Sequence, residues 1–399
     1  MRGTVKNALL ILGVLALSLL SPHEFILAGE DLRVTVGPER IILPDGLQPF
    51  MFQSRNGTLV VQGQMPEPPG FIAPNRNWGW IPGNVRSADG GETWQAWTPT
   101  TKQGMGPIFE GEATQLENGR TLILEWTAEG PKEGGYFFAK LWESHDEWQT
   151  LTGPMQAKIH LPDAIQGFDD GGHPMPGIWL HRTLIEMPSG ELLATAYGWF
   201  RGDSTPSAYM KSQNKFRCFL LSSKDSGRNW SLVSTIAVDP KIGEEAFDEP
   251  VLVRLSQGKH KGRFIVLMRT GRFDPVYQTE SDDEGRTWTT PHPLNFHGVS
   301  PDIVEMKNGV LVAGFGWRTE DAYVKPGVKP LSPRLGFYVA FSLDQGATWT
   351  HLTQVNNEPS TSYAAVKEVQ PGKLILVYDK SWWGRPGRGI AARFIEVRE

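Results

Sequence analysis

The octapeptide Ser281-Asp282-Asp283-Glu284-Gly285-Arg286-Thr287-Trp288 constrains this chain more than any other stretch, because the chain repeats it. Ser87 to Trp94 and Ser342 to Trp349 carry the same Ser-x-Asp-x-Gly-x-Thr-Trp pattern, and Ser223 to Trp230 carries it with Asn229 for Thr. A decayed copy, Ser144-His145-Asp146-Glu147-Trp148, has lost the glycine. Ser and Asp side chains close tight turns onto backbone N–H groups. Gly takes the positive-φ position, and Thr-Trp opens a strand with a large apolar face.

Between these boxes lies a second repeat: an apolar strand, a turn with Gly, and a strand rich in Leu, Ile and Val. Its copies are 48–61, 110–124, 181–197, 249–268, 300–314 and 363–378. Successive boxes start 57, 79, 58 and 61 residues apart. Units of this length built from short strands predict a β-propeller, and six copies predict six blades. The composition agrees, with 44 Gly, 30 Pro and 15 Trp in 399 residues. The last unit has no box of its own, so Leu32–Val36 or Arg40–Leu43 is expected to pair with Ile390–Val397 and close the ring, removing exposed sheet edges. The expected fold is all-β, a single six-bladed propeller over residues 32–399.

Residues 1–28 read as a signal peptide. Arg2 and Lys6 precede an apolar run from Ala8 to Leu20, too short to span a bilayer comfortably, with a small residue, Ala28, at the expected cleavage point. The mature chain is expected to be exported, periplasmic or extracellular, without a membrane span. The single Cys218 rules out an intrachain disulfide framework, and a net charge of −5 gives no general attraction to nucleic acid.

Counting back nine residues from Gly57, Gly119, Gly190, Gly258, Gly309 and Gly372 reaches Gln48, Glu110, His181, Glu249, Ser300 and Tyr363. In a propeller these positions start the innermost strands and ring one mouth of the channel. The second strands return to that mouth with Trp126, Trp199, Arg201, Arg269, Arg272, Arg318, Lys380 and Trp382. Arginine forks suit carboxylates, and indole faces suit sugar rings.

Boxes of this kind on such a frame resemble the sialidase (neuraminidase) superfamily, with its repeated Asp boxes (BNR repeats). The resemblance covers roughly residues 43–399. It implies an exo-glycosidase, exo-α-sialidase-like, removing a terminal acidic sugar, sialic acid or a relative, from a glycan or glycoconjugate, with no cofactor. In that pattern an arginine triad binds the substrate carboxylate, a Tyr nucleophile is partnered by a Glu, and an Asp is the acid/base. The segment from Glu249-Pro250-Val251 to Met268-Arg269 resembles the one carrying the Glu and the second arginine. Arg318 after Gly314-Phe315-Gly316-Trp317 resembles the third arginine, and Ser362-Tyr363 the nucleophile segment. Gln48 stands where the first arginine belongs. The segment Gly63–Arg86 contains no Asp, and Glu67 is its only carboxylate.

The candidate catalytic residues are therefore Tyr363, Glu249, His181 and Glu67. The candidate substrate-binding residues are Arg269, Arg318, Gln48, Glu110, Arg182, Arg201, Trp199 and Asp302. His181 is a candidate general acid/base near neutral pH; used so, it would define a propeller uronate hydrolase or lyase. A sugar-binding propeller without catalysis is the alternative of another class. The pair Asp169-Asp170 reads as a turn, and no metal site is expected.

Overall fold

The structure is a computed structural model, and it describes residues 32–67, 80–102, 106–109, 112–168, 172–319 and 334–398. The segment read as a signal peptide, Glu110 and the Asp169-Asp170 pair lie outside these residues. Among the described residues every regular element is a strand.

The repeated unit is an antiparallel meander. Three sheets contain only this: Leu47–Gln53, Leu59–Pro66, Trp80–Ser87 and Gln95–Trp97; Asp248–Arg254, Phe264–Arg269, Pro275–Ser281 and His292–His297; and Val299–Glu305, Leu311–Trp317, Gly336–Ser342 and Thr350–Asn356. A fourth sheet runs Ala364–Gln370, Lys373–Lys380, Gly389–Arg398, and takes two strands from the other end of the chain. Both candidate closing segments are used. Arg33–Val36 pairs with residues 395–398 and Arg40–Pro44 with residues 389–392.

Between residues 113 and 237 two meanders are fused into one ten-stranded sheet. The extra strand Thr127–Lys132 pairs with both Tyr136–Ser144 and Ile178–Glu186, and Thr152–His160 runs parallel to the start of Asn229–Ala237. The longest interval between boxes, 79 residues from Ser144 to Ser223, falls here.

The core lies between neighbouring sheets. One apolar cluster joins Val251, Ile265 and Leu267 to Ile303, Leu311 and Phe315. Another joins Val312 and Phe341 to Val366 and Leu376. A third joins Met51, Leu59 and Val61 to Ala365, Ile375 and Ile390, so the last sheet packs on the first and the ring closes. The inner strands consequently stand side by side around a central axis.

The boxes form as their chemistry dictates. In the Ser281 copy, Ser281 Oγ accepts from Gly285 N at 2.9 Å, while Asp283 accepts from Thr287 N at 2.9 Å and Thr287 Oγ1 at 2.7 Å. The decayed copy keeps this network, because Trp148 takes the glycine's place at φ 69° and donates its N–H to Ser144 Oγ at 2.9 Å. A left-handed bulky residue is strained. Here stacking on Phe52 and edge contact with Phe109, ring centroids 5.5 and 5.0 Å away, offset that cost. Register places each box far from the channel mouth: Ser281 lies opposite Phe264, which lies opposite Arg254 at the far end of the strand that Asp248 begins.

Candidate active site

Each inner strand opens with a bulge. Ladder register slips between Leu47 and Phe50, Asp248 and Val251, and Val299 and Asp302, where three residues oppose two on the neighbouring strand. The extra residue is left-handed in each case, with φ of 50° at Gln48, 43° at Glu249 and 44° at Ser300. A bulge bends the strand and re-aims its side chains, here toward the axis.

The spacing rule is off by one in two units. The left-handed residues there are Arg182 and Ser362, next to the expected His181 and Tyr363. In the first of these the slip spans Leu180 to Leu184 against Ala196 to Ala194, one residue more than in the other bulges. Arg182 consequently turns inward beneath the mouth, and His181 sits one step before the bend, as Asp248 does.

Tyr363 and Glu249 meet. Tyr363 Oη donates to Glu249 Oε1 at 2.5 Å. Arg269 Nη1 donates to the same oxygen at 2.8 Å, and Ser300 N donates to Glu249 Oε2 at 2.8 Å. Burial pushes the Glu249 carboxyl up, but the Arg269 guanidinium, the charge of His181 when protonated and the Tyr363 hydrogen bond outweigh it and hold it at about 2. Burial and the negative charge of Glu249 push the Tyr363 hydroxyl well above its ordinary value. The resting pair is a carboxylate receiving a phenolic proton.

Two contiguous lobes open around this pair. The larger, about 740 Å³, is aromatic, with Phe50, Trp80, Trp126, Trp179, Tyr197 and His181 on its walls. The smaller, about 400 Å³, is polar, with Glu245, Asp248, Arg269 and Arg318 beside Trp382 and Trp383. Gln48, Glu249 and Tyr363 line both.

His181 Nδ1 lies 3.3 Å from the carbonyl oxygen of Pro250. A carbonyl only accepts, so Nδ1 carries the proton and Nε2 presents a lone pair. Nε2 is buried without a hydrogen-bond partner. Burial lowers the His181 pKa to about 4. This imidazole is a neutral acceptor or base at pH 7, and it has no proton to give toward the cavity.

Arg269 is not an open fork. It is 7% exposed, bonded to Glu249, to Glu245 Oε2 at 2.9 Å and to the carbonyl of Gly271 at 3.2 Å. Arg318 Nε donates to the carbonyl of Thr361 at 3.1 Å, with its guanidinium on the smaller lobe.

Other expected positions fall elsewhere. Arg182 binds Ser300 Oγ at 2.9 Å and stands 3.7 Å from Asp302, and both charged groups are sealed below the mouth. Asp302 also accepts from Val366 N at 2.9 Å, tying one inner strand to the next. Asp379, on the second strand of the last sheet, accepts from Gln48 N at 3.1 Å and ties that sheet to the first, a tie that the spacing of the glycines does not signal. Trp199 is 1% exposed, stacked on Phe216, with its Nε1 donating to Asn214 O at 2.7 Å; it lies behind the wall. Arg201 is exposed past the end of its strand, its backbone N–H on Asp163 O at 2.7 Å. Glu67 follows strand Leu59–Pro66 and lines neither lobe.

Wall residues not singled out from sequence include Trp179, Tyr197, Asp248 and Glu245. Strand alternation could have found two of them. Trp179 is two residues before His181, on the same face, and Tyr197 is its cross-strand partner.

Residues 179–376 match the profile of the BNR repeat-like domain. Among curated proteins no sequence matches this chain. Solved structures with a similar fold include a protein of unknown function from Dyadobacter fermentans, 19% identical, with a TM-score of 0.67 over 92% of this chain and 99% of that one. The Penicillium chrysogenum α-L-arabinanase solved with arabinobiose is 16% identical, with a TM-score of 0.60 over 91% and 98%. The Hadza microbial sialidase Hz136 is 15% identical, with a TM-score of 0.56 over 88% of this chain and 66% of that one. Across residues 179–376, then, this chain is similar to the BNR repeat-like domain, and its all-β fold is the one found in an arabinanase and a sialidase.

Proposed function

We propose that this protein is an exported glycoside hydrolase, built as a six-bladed propeller, that removes a terminal sugar from a glycan through Tyr363 and Glu249. The 2.5 Å hydrogen bond from Tyr363 Oη to an ionised Glu249 carries the reading. A phenol is a weak nucleophile until its proton can leave, and a carboxylate already accepting its hydrogen bond lets the oxygen attack as the proton moves. A Tyr nucleophile is a recognised variant of glycoside hydrolysis. His181 Nε2 accepts a hydroxyl of the bound sugar, and the aromatic lobe receives a ring face. The shared fold with glycoside hydrolases supports the class.

The charge balance favours an uncharged sugar. Glu245 and Glu249 face Arg269 and Arg318 in the smaller lobe, and Arg269 already serves both carboxylates, so the lobe carries little net positive charge. Gln48 adds no positive charge. The second reading, an acidic sugar such as sialic acid, draws on Arg269 and Arg318 both lining that lobe.

The test is release of free sugar by the purified protein from a panel of arabinofuranosyl, sialyl and uronate-capped glycans, beside Tyr363→Phe and His181→Ala. Neutral sugar release abolished by Tyr363→Phe is the expected result. Sialic acid release abolished by the same change would establish the second reading. Uronate products lost only with His181→Ala would move the chemistry to that imidazole. Binding without turnover on the whole panel would make the propeller a lectin.

A further inference from the structure

The reaction just proposed needs a proton for the departing oxygen, and neither residue considered for that task from the sequence can deliver it. Glu67 lines neither lobe, and the His181 nitrogen facing the cavity carries no proton. We propose that Asp248 is the general acid, donating its carboxyl proton to the leaving-group oxygen. This rests on the Tyr363–Glu249 reading above.

Asp248 lines the smaller lobe together with Glu249, Tyr363, Arg269 and Arg318. In a regular strand, Asp248 and Glu249 would face opposite ways. The left-handed turn at Glu249 and the slipped register after Asp248 bring both onto one lobe. Asp248 is 3% exposed, and its Oδ1 has no hydrogen-bond partner. A buried polar oxygen without a partner is costly, and an arriving donor or acceptor relieves that cost.

The surrounding charges say which form this carboxyl takes. The groups acting on it are Arg269, Glu245 and Glu249, with the Tyr197 hydroxyl and the Cys218 thiol also close enough to feel its charge. Arg269 directs its Nη1 at Glu249 and its Nη2 at Glu245. Burial, with the charges of Glu245 and Glu249 behind it, outweighs the pull of Arg269 and pushes the Asp248 carboxyl well above its ordinary value, which favours its protonated form beside an ionised Glu249. Two carboxylates with their pKa values driven apart are the arrangement that divides acid from base.

The proton ledger closes. In the first step Tyr363 Oη bonds to the anomeric carbon and passes its proton to Glu249. The carbon–oxygen bond to the leaving group breaks, and the leaving oxygen takes the Asp248 proton. In the second step water attacks the anomeric carbon and returns a proton to Asp248. The carbon–Tyr363 bond breaks, and Glu249 hands the phenolic proton back.

The experiment compares Asp248→Asn and Asp248→Ser with the unaltered protein on 4-nitrophenyl and methyl glycosides of α-L-arabinofuranose and of N-acetylneuraminic acid. Nitrophenolate leaves without help, whereas methoxide requires a proton. The expected result is a loss of roughly 10²–10⁴-fold on the methyl glycoside, a retained nitrophenolate burst, and restored turnover with added azide as the glycosyl azide forms. Equal losses on both leaving groups without azide rescue, or no loss on either, would overturn the assignment while leaving the glycosidase reading intact. Unaltered protein inert on every glycoside would remove both. Should neither variant fold, infrared spectra of protein labelled with ¹³C-carboxyl Asp decide: a protonated Asp carbonyl band at pH 7 is required, and its absence overturns the proposal.

Discussion

Tyr363 Oη lies 2.5 Å from Glu249 Oε1, although 114 residues separate them in the chain. The bond forms because the bulge at Glu249 and the strand start at Tyr363 both deliver side chains to one mouth. Tyr363→Phe removes the proposed nucleophile and leaves the ring packing, so turnover is expected to fall by at least 10²–10⁴-fold with Tm nearly unchanged. Sugar-release rates and a thermal melt on the same preparation check both halves.

Arg269 neutralises Glu249 and Glu245 in a buried setting. Arg269→Leu strands both carboxylates. Removing one partner of a buried ion pair costs about 3–5 kcal/mol, so urea unfolding should show a loss of that size. A loss below about 1 kcal/mol would mean that water reaches these groups freely.

His181 and Glu112 oppose each other in the pH dependence of stability. Burial lowers the His181 pKa from 6.5 to about 4, so the native state resists the proton, and its contribution is lost as pH falls from 6.5 toward 4. Burial raises the Glu112 carboxyl from 4.5 to about 7, against the pull of Lys367, so its contribution is present below 4.5 and lost as pH rises through 7. Each is worth on the order of 3 kcal/mol. Glu112→Gln should make stability climb with pH between 4 and 6.5, and His181→Asn should make it fall between 4.5 and 7. Urea midpoints across that range for the two variants check the signs.

The boxes are structural. Asp344 accepts from Thr348 N at 2.8 Å, Thr348 Oγ1 at 2.6 Å and Ser342 Oγ at 2.8 Å. Ser342 lies opposite Leu311 and, across it, Glu305, so a full inner strand of about 20 Å separates the box from the mouth. Asp344→Ala should cost about 1–3 kcal/mol and leave kcat of the folded protein unchanged, as parallel unfolding and rate measurements would show.

Trp199 and Trp179 should separate packing from binding. Trp199 is enclosed by Trp179 and Phe216, and Trp199→Ala should cost about 3–5 kcal/mol. Trp179 borders both lobes, so Trp179→Phe should raise KM several-fold with a smaller stability change. A reversed ranking would place the sugar face elsewhere.

Much of this molecule was legible in the chain itself. The Ser, Asp and Gly of each box act on N–H groups within four residues, so local chemistry alone specifies the turn. The alternation of apolar strands and turn glycines specifies the meander, and the family resemblance pointed to Tyr363, Glu249, Arg269 and Arg318 as neighbours.

What only the tertiary structure decided depends on residues distant in sequence. Whether Arg269 is an open fork or a spent one depends on Glu245 and Glu249 arriving beside it. The inward turn of Arg182, away from the lobes, follows from one more residue in its bulge, which spacing from a turn glycine does not register. Trp199 and Trp179 are both strand tryptophans packed on Phe216, and only the assembled wall shows that Trp179 borders the lobes while Trp199 lies behind it. Burial does most to push the Asp248 carboxyl up, against the pull of Arg269 from the neighbouring strand, and burial is a property of the assembled mouth. Hydrogen bonds over four residues can be read along a chain, whereas desolvation and charge pairing exist only once distant strands have come together.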